Sequence, residues 1–133
     1  MADENLKKSM IRAHSGGTHH FLNTKFLGLE GKIYKYELEF SKECLNPFNT
    51  VQGGMIASAI DEITSISVNI FTKDEYLPSS TDIHISFHRP LFLGKVTGTA
   101  KIIKIGKQIV SVEGRLISSS GKIAASGLHT AVL

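Results

Sequence analysis

Gly53-Gly54-Met55-Ile56-Ala57-Ser58-Ala59-Ile60-Asp61-Glu62-Ile63-Thr64-Ser65-Ile66-Ser67-Val68-Asn69-Ile70 is the stretch on which the architecture turns. Ile56, Ala59, Ile60, Ile63, Ile66 and Ile70 recur at three- and four-residue spacings, the period of an α-helix with one apolar stripe. The opposite side carries the small residues Gly54, Ala57, Ser58 and Ser65, with Asp61 among them. The pattern predicts a helix from Met55 to Ile70 with one side for a core. Its other side is open to the close approach of a ligand or a second backbone.

On either side of this helix the period changes to that of strands. From Phe21 to Phe40 the apolar residues Phe26, Leu27, Leu29, Ile33, Tyr34, Tyr36, Leu38 and Phe40 divide about Gly31-Lys32, which reads as two strands and a tight turn. Tyr34, Tyr36, Leu38 and Phe40 share one face of the second strand. Downstream of Lys73-Asp74-Glu75 and Pro78, four alternating runs cover residues 80–88, 94–104, 108–118 and 122–132. Their breaks, at Pro90 to Gly94, Gly106-Lys107 and Ser119 to Gly121, have turn composition, and the whole is expected to form a meander. Residues 1–20 read as an N-terminal helix and linker, with Leu6, Met10 and Ile11 on one helical side and Gly16-Gly17 as the stop. Neither a helix with an apolar stripe nor an alternating sheet can bury its apolar face alone. The expected class is therefore α+β, a long central helix wrapped by a curved antiparallel sheet, as one domain over residues 1–133.

Composition narrows the function classes. No run approaches the roughly 18 apolar residues of a membrane helix, and charges occupy the N-terminus where a signal peptide has its apolar centre, so a cytoplasmic protein without membrane contact is expected. The single cysteine, Cys44, offers neither an internal disulfide nor a zinc site and reads as an inert thiol. A formal charge of +3 suits a phosphate-bearing ligand and is too small to indicate nucleic acid. Asp82, His84 and His88 share a strand face, but four strand residues span roughly 13 Å, too far for one metal ion.

The run from Asn46-Pro47-Phe48-Asn49-Thr50-Val51-Gln52-Gly53-Gly54 to Asp61 resembles the signature of hotdog thioesterases of the phenylacetate-degradation type. In that family an Asn stands six residues before a His-Gly-Gly and an acid nine residues after the His, the spacings that Asn46, Gln52 and Asp61 occupy here. Ser80-Thr81-Asp82 through Pro90-Leu91 and Gly94 is similar to the strand and turn that follow in the family. The resemblance implies a hotdog fold and acyl-CoA thioester hydrolysis, usually in a dimer of dimers. It also implies that Asn46 positions water and that a serine near Ser80 assists the carboxylate. One departure matters: where the family has His, this chain has Gln52.

The residues support the same chemistry directly. Thioester hydrolysis needs donors for the charge that develops on the carbonyl oxygen, and a carboxylate that activates water or attacks the carbonyl carbon. Gly53 and Gly54 open the helix with unpaired amides and no Cβ to obstruct a carbonyl, and Asp61 is the acid on the small-residue side. Gly53 and Asp61 are separated by eight residues, about 12 Å along a helix, too far for both to meet one carbonyl group. Two chains must combine, Asp61 of one facing Gly53 of the other across a two-fold axis.

Gln52 lacks imidazole's proton-shuttling capacity but retains an N–H donor; it reads either as a ligand to the carbonyl oxygen or as a loop cap. Glu62, rotated about 100° from Asp61, is read as a structural or surface acid. Phe48 and Met55, with Ile56 and Phe87, belong to the core or line an acyl tunnel, and Arg89, Lys104 and Lys107, with Arg115, are candidates for the phosphates of coenzyme A. Coenzyme A would be part of the substrate, and no separate cofactor is expected. A non-catalytic acyl-CoA-binding protein and a hotdog dehydratase or hydratase remain as alternatives, although the run from Asn46 to Asp61 lacks the His a dehydratase would carry.

Overall fold

The computed structural model describes residues 2–133. Two helices, α1 (Ala2–Ser15) and α2 (His19–Leu22), precede the hairpin strands β1 (Lys25–Glu30) and β2 (Ile33–Glu39). A 3-10 turn at Lys42–Cys44 leads into the long helix α3 (Gly53–Phe71), followed by β3 (Ser79–Phe87), β4 (Lys95–Ile105), β5 (Ile109–Ile117) and β6 (Ile123–Val132). Each expected strand is present, the last five within a residue or two of their expected ends and β1 starting four residues after Phe21. The helix runs slightly further than its apolar period, because Gly53 and Gly54 form its first turn.

All six strands form one antiparallel sheet in the order β1-β2-β4-β5-β6-β3. The expected meander therefore holds only for β4, β5 and β6. β3 does not pair with β4; it lies on the far edge against β6, and β4 pairs instead with β2. Alternation decides which face a strand buries, whereas its neighbour is chosen by how the sheet closes over the helix.

The sheet curves around α3, which touches β2 through β6. Ile56, Ala59, Ile60, Ile63 and Ile66 are buried against Tyr34, Tyr36 and Leu38 of β2 and the inward residues of β4 to β6. Glycines on three neighbouring strands let the helix and the side chains around it approach. A Cβ on Gly98 would stand 2.8 Å from Leu38 Cδ1, one on Gly114 2.9 Å from methyl groups of both Ile60 and Thr64, and one on Gly127 2.7 Å from Ile85 Cδ1. This is the hotdog arrangement that the resemblance implies, a long helix wrapped by the sheet.

Two N-terminal readings change. Phe21 and Leu22 lie in the helical turn α2 rather than in extended chain, ended by Asn23 in the left-handed region. On α1, Met10 packs on the core, while Ile11 is exposed. Ser9 is buried and donates to Asp74 Oδ1 at 3.0 Å, and Arg12 bonds the same oxygen at 2.7 Å. A polar anchor to the chain beyond α3, not an apolar stripe alone, orients α1.

Candidate active site

The start of α3 is fixed by its loop. The Gln52 amide donates to Cys44 O at 2.8 Å, Val51 N donates to Leu91 O at 2.8 Å, and Leu45 bridges Val51. Asn46 uses both ends of its side-chain amide inside this loop: Oδ1 accepts from Phe48 N (2.9 Å) and Thr50 N (3.1 Å), and Nδ2 donates to Thr50 Oγ1 (2.8 Å). Gln52 is the extended residue before the first turn, and its exposed side chain makes no capping hydrogen bond. The first turn carries no acid, so the helix begins uncapped with positive dipole end open.

Gly53 is close to Phe87, whose ring would stand 3.3 Å from a Cβ at that position. Gly54 is exposed, with Gln52 Oε1 beside it. Phe48 is 85% exposed and Phe87 is 55% exposed, so neither is a core residue in a single chain, whereas Ile56 is. Met55 is half-buried against the core. Phe48, Met55 and Phe87 thus stand at the glycine end of α3 without being fully buried.

Asp61 lies on the open side of α3 with its side chain 56% exposed. Ser65 Oγ donates to its Oδ1 at 3.3 Å, and His129 Nδ1 stands 3.8 Å from the same oxygen. Glu62 points away as expected and accepts hydrogen bonds from Thr18 and Thr24, which tie the segment before β1 to the helix.

His129 joins these candidates, and sequence reasoning missed it. It lies on β6, is 3% exposed, and its ring spans two elements. Nδ1 is 2.8 Å from Thr64 Oγ1 on α3, and Nε2 is 2.6 Å from Ser80 Oγ on β3. Its signal was positional: it occupies the inward phase of β6 between the small residues Gly127 and Ala131. Ser80 reaches it because of a bulge. The β3–β6 register jumps between Ser80 and Asp82, leaving Thr81 as an extra residue. In an unbulged strand, alternation from Ile83 and Ile85 would turn Thr81 inward and Ser80 outward.

The basic candidates fall at opposite ends. Arg89 follows β3 near the glycine end of α3, donates to Ile123 O at 2.9 Å, and lines an open outer-face concavity of about 960 Å³ with His84, His88 and Arg115. Lys104 and Lys107 flank the β4–β5 turn, and Lys107 shares a hollow with Phe71 and Thr72 at the other end of α3. Arg115 is paired with Glu113 at 2.9 Å. His84 pairs with Asp82 at 2.9 Å, His88 with Ser126 at 2.9 Å, and no group of three metal-ligating side chains occurs among the described residues. Cys44 is buried, its thiol directed at Phe21 O. Among the described residues no helix is long and apolar enough to cross a membrane.

The chain is similar to known proteins in sequence and in fold. The chain is 29% identical over 96 residues to human acyl-coenzyme A thioesterase 13, covering 71% of this chain and 68% of that protein. It is 26% identical over 106 residues to the proofreading thioesterase EntH of Klebsiella pneumoniae, covering 79% and 77%. The structure superposes on the PaaI protein from the phenylacetic acid degradation operon of E. coli with a TM-score of 0.83 over 99% of this chain and 95% of that one, at 16% identity, a likeness of fold. The model of the thioesterase superfamily matches residues 48–125, from the loop before α3 into β6, and on that match the chain belongs to the thioesterase superfamily.

Proposed function

We propose that this protein hydrolyses an acyl-CoA, or an acyl group on a carrier protein, to the free acid and thiol, at sites shared between two chains of a cytoplasmic homodimer or dimer of dimers. The observation that carries the reading is the pairing, on one helix, of an uncapped Gly53-Gly54 start with an exposed carboxylate, Asp61, eight residues further on. About 12 Å separates them, so each is half of a site that an antiparallel partner helix completes.

In this reading the thioester carbonyl oxygen rests on the amides at Gly53 and Gly54, with the Gln52 side-chain N–H as a further donor. Asp61 of the other protomer takes a proton from water as the water oxygen bonds to the carbonyl carbon. The tetrahedral intermediate then expels the thiolate by breaking its C–S bond, and the thiolate takes the proton back from Asp61. Asn46 serves by holding the loop, since both ends of its amide are engaged there. Phe48, Met55 and Phe87 flank the acyl group. Arg89 from one chain and Lys104 or Lys107 from the other flank the coenzyme A phosphates, because an antiparallel pairing brings opposite helix ends together.

A second reading, binding of acyl-CoA without turnover, is favoured by Gln52, which cannot shuttle a proton. Purified protein assayed on a panel of acyl-CoAs with a thiol-trapping reagent decides between them. Hydrolysis by the native chain and its loss in Asp61→Ala, with the circular dichroism spectrum unchanged, is the expected result. Unchanged turnover in Asp61→Ala would remove Asp61 from the mechanism.

A further inference from the structure

We propose that His129 is a positioning residue which fixes the polarity of the hydroxyl of Ser80, the serine that the resemblance implies assists the Asp61 carboxylate; the proposal rests on the thioesterase reading. Thr64 has one hydroxyl proton, and its Oγ1 lies 2.7 Å from Ile60 O and 3.0 Å from Asp61 O, both acceptors only. That proton is therefore spent on the helix backbone. Towards His129 Nδ1, at 2.8 Å, the Thr64 oxygen must accept, which places the ring proton on Nδ1. The Asp61 carboxylate, 3.8 Å from Nδ1, favours the same tautomer. In the neutral ring Nε2 is then a bare acceptor, and Ser80, 2.6 Å away, donates to it.

The consequence lies on the other side of Ser80. With its only proton directed into the ring, its oxygen offers lone pairs outwards. A water between Asp61 and Ser80 gives one proton to the carboxylate and the other hydrogen bond to Ser80 Oγ, which leaves its own lone pair for the thioester carbon. Were the Ser80 proton free to turn outward, it would bond the lone pair that must attack, or the Asp61 oxygen that must accept.

The elements packed against the ring present Asp61 and Thr64 from α3, Ser80 and Ile83 from β3 and Val112 from β5. Asp61 is the ionisable side chain at ion-pair distance from it among the described residues. This chain thus has Gln52 at the position of the family's His and an imidazole on the far side of the carboxylate, where it orders the site without touching substrate.

Two measurements test the role on the full-length protein. In 15N-histidine-labelled protein at neutral pH, the His129 ring, assigned by its loss in His129→Gln, is expected to show a protonated Nδ1 and an unprotonated Nε2, the minor form of free histidine. Thr64→Val is expected to release the ring to the Nε2–H form. An Nε2–H ring in the native protein would overturn the proposal. In kinetics, Ser80→Ala and His129→Leu are each expected to lower kcat by about 10- to 100-fold with KM little changed, the scale of a misplaced reactant. The double variant is expected to be no slower than Ser80→Ala, because both remove the same interaction. His129→Gln, which keeps an acceptor near the Nε2 position, should recover part of the loss and stands in if His129→Leu does not fold. Additive losses would mean that His129 acts independently of Ser80 and sink its role alone, whereas a native protein without turnover on any acyl-CoA or acyl-carrier thioester sinks the thioesterase reading and the role with it.

Discussion

Tyr36 shows how single residues couple the sheet to the helix. Its ring is fully buried, its hydroxyl lies 2.8 Å from Ser67 Oγ, and Ser67 gives its own proton to Ile63 O at 2.7 Å, so the phenol is the donor. Burial pushes the Tyr36 phenol well above its ordinary value. An unfolded tyrosine ionises near about pH 10, so above that pH the unfolded chain sheds a proton which the folded chain keeps, and stability falls as pH rises. Tyr34, also raised by burial, adds to the same slope. Tyr36→Phe is expected to lose about 1 kcal/mol at neutral pH and to flatten the decline above about pH 10, as read from urea midpoints across that range. At this scale the sequence was legible where a residue type announces its chemistry. Asp61 among small residues and the paired glycines could be read directly. His129 could not, because its meaning depends on Thr64 and Ser80, which stand 65 and 49 residues away.

Among the elements, helix and strands were legible because each has a period. Their order in the sheet was not, since nothing in the alternation of β3 says that its neighbour is β6 rather than β4. The Thr81 bulge was equally hidden: one extra residue leaves the apolar pattern of Ile83, Ile85 and Phe87 intact and alters only which serine faces inward. The contact between α3 and the sheet makes its own prediction. Gly114→Ala places a methyl group 2.9 Å from Ile60 and Thr64, side chains of a buried helix with little room to withdraw. Overpacking of this kind costs about 1 to 3 kcal/mol, visible as a lower denaturant midpoint with an unchanged slope. Gly121→Ala would not serve as a neutral control, since Gly121 has φ of +83°; Gly17→Ala, with nothing within 4 Å of the added carbon, does.

For the whole molecule, the separation of Gly53 and Asp61 along α3 makes association part of the site in the proposed reading. Mixing two inactive variants, Asp61→Ala and Gly53→Val, under conditions that exchange subunits is expected to restore activity. Each mixed dimer regains one intact site, built from Asp61 of one variant and Gly53 of the other, so an equal mixture should approach about one quarter of native activity. No recovery despite demonstrated exchange would place the whole site within one chain.

The crossing of β3 to the far edge of the sheet also sets a timetable. On the ribosome, β3 emerges before the strand that will hold it, and all of the chain between Phe87 and Ile123 must be made before β6 begins. At about 5 to 20 residues per second this leaves β3, ending in Phe87, unpaired on the order of seconds. The late closure joins Ser80 to His129 in the same event that covers the strand, so a nascent chain gains this contact only as its exposed edge is paired.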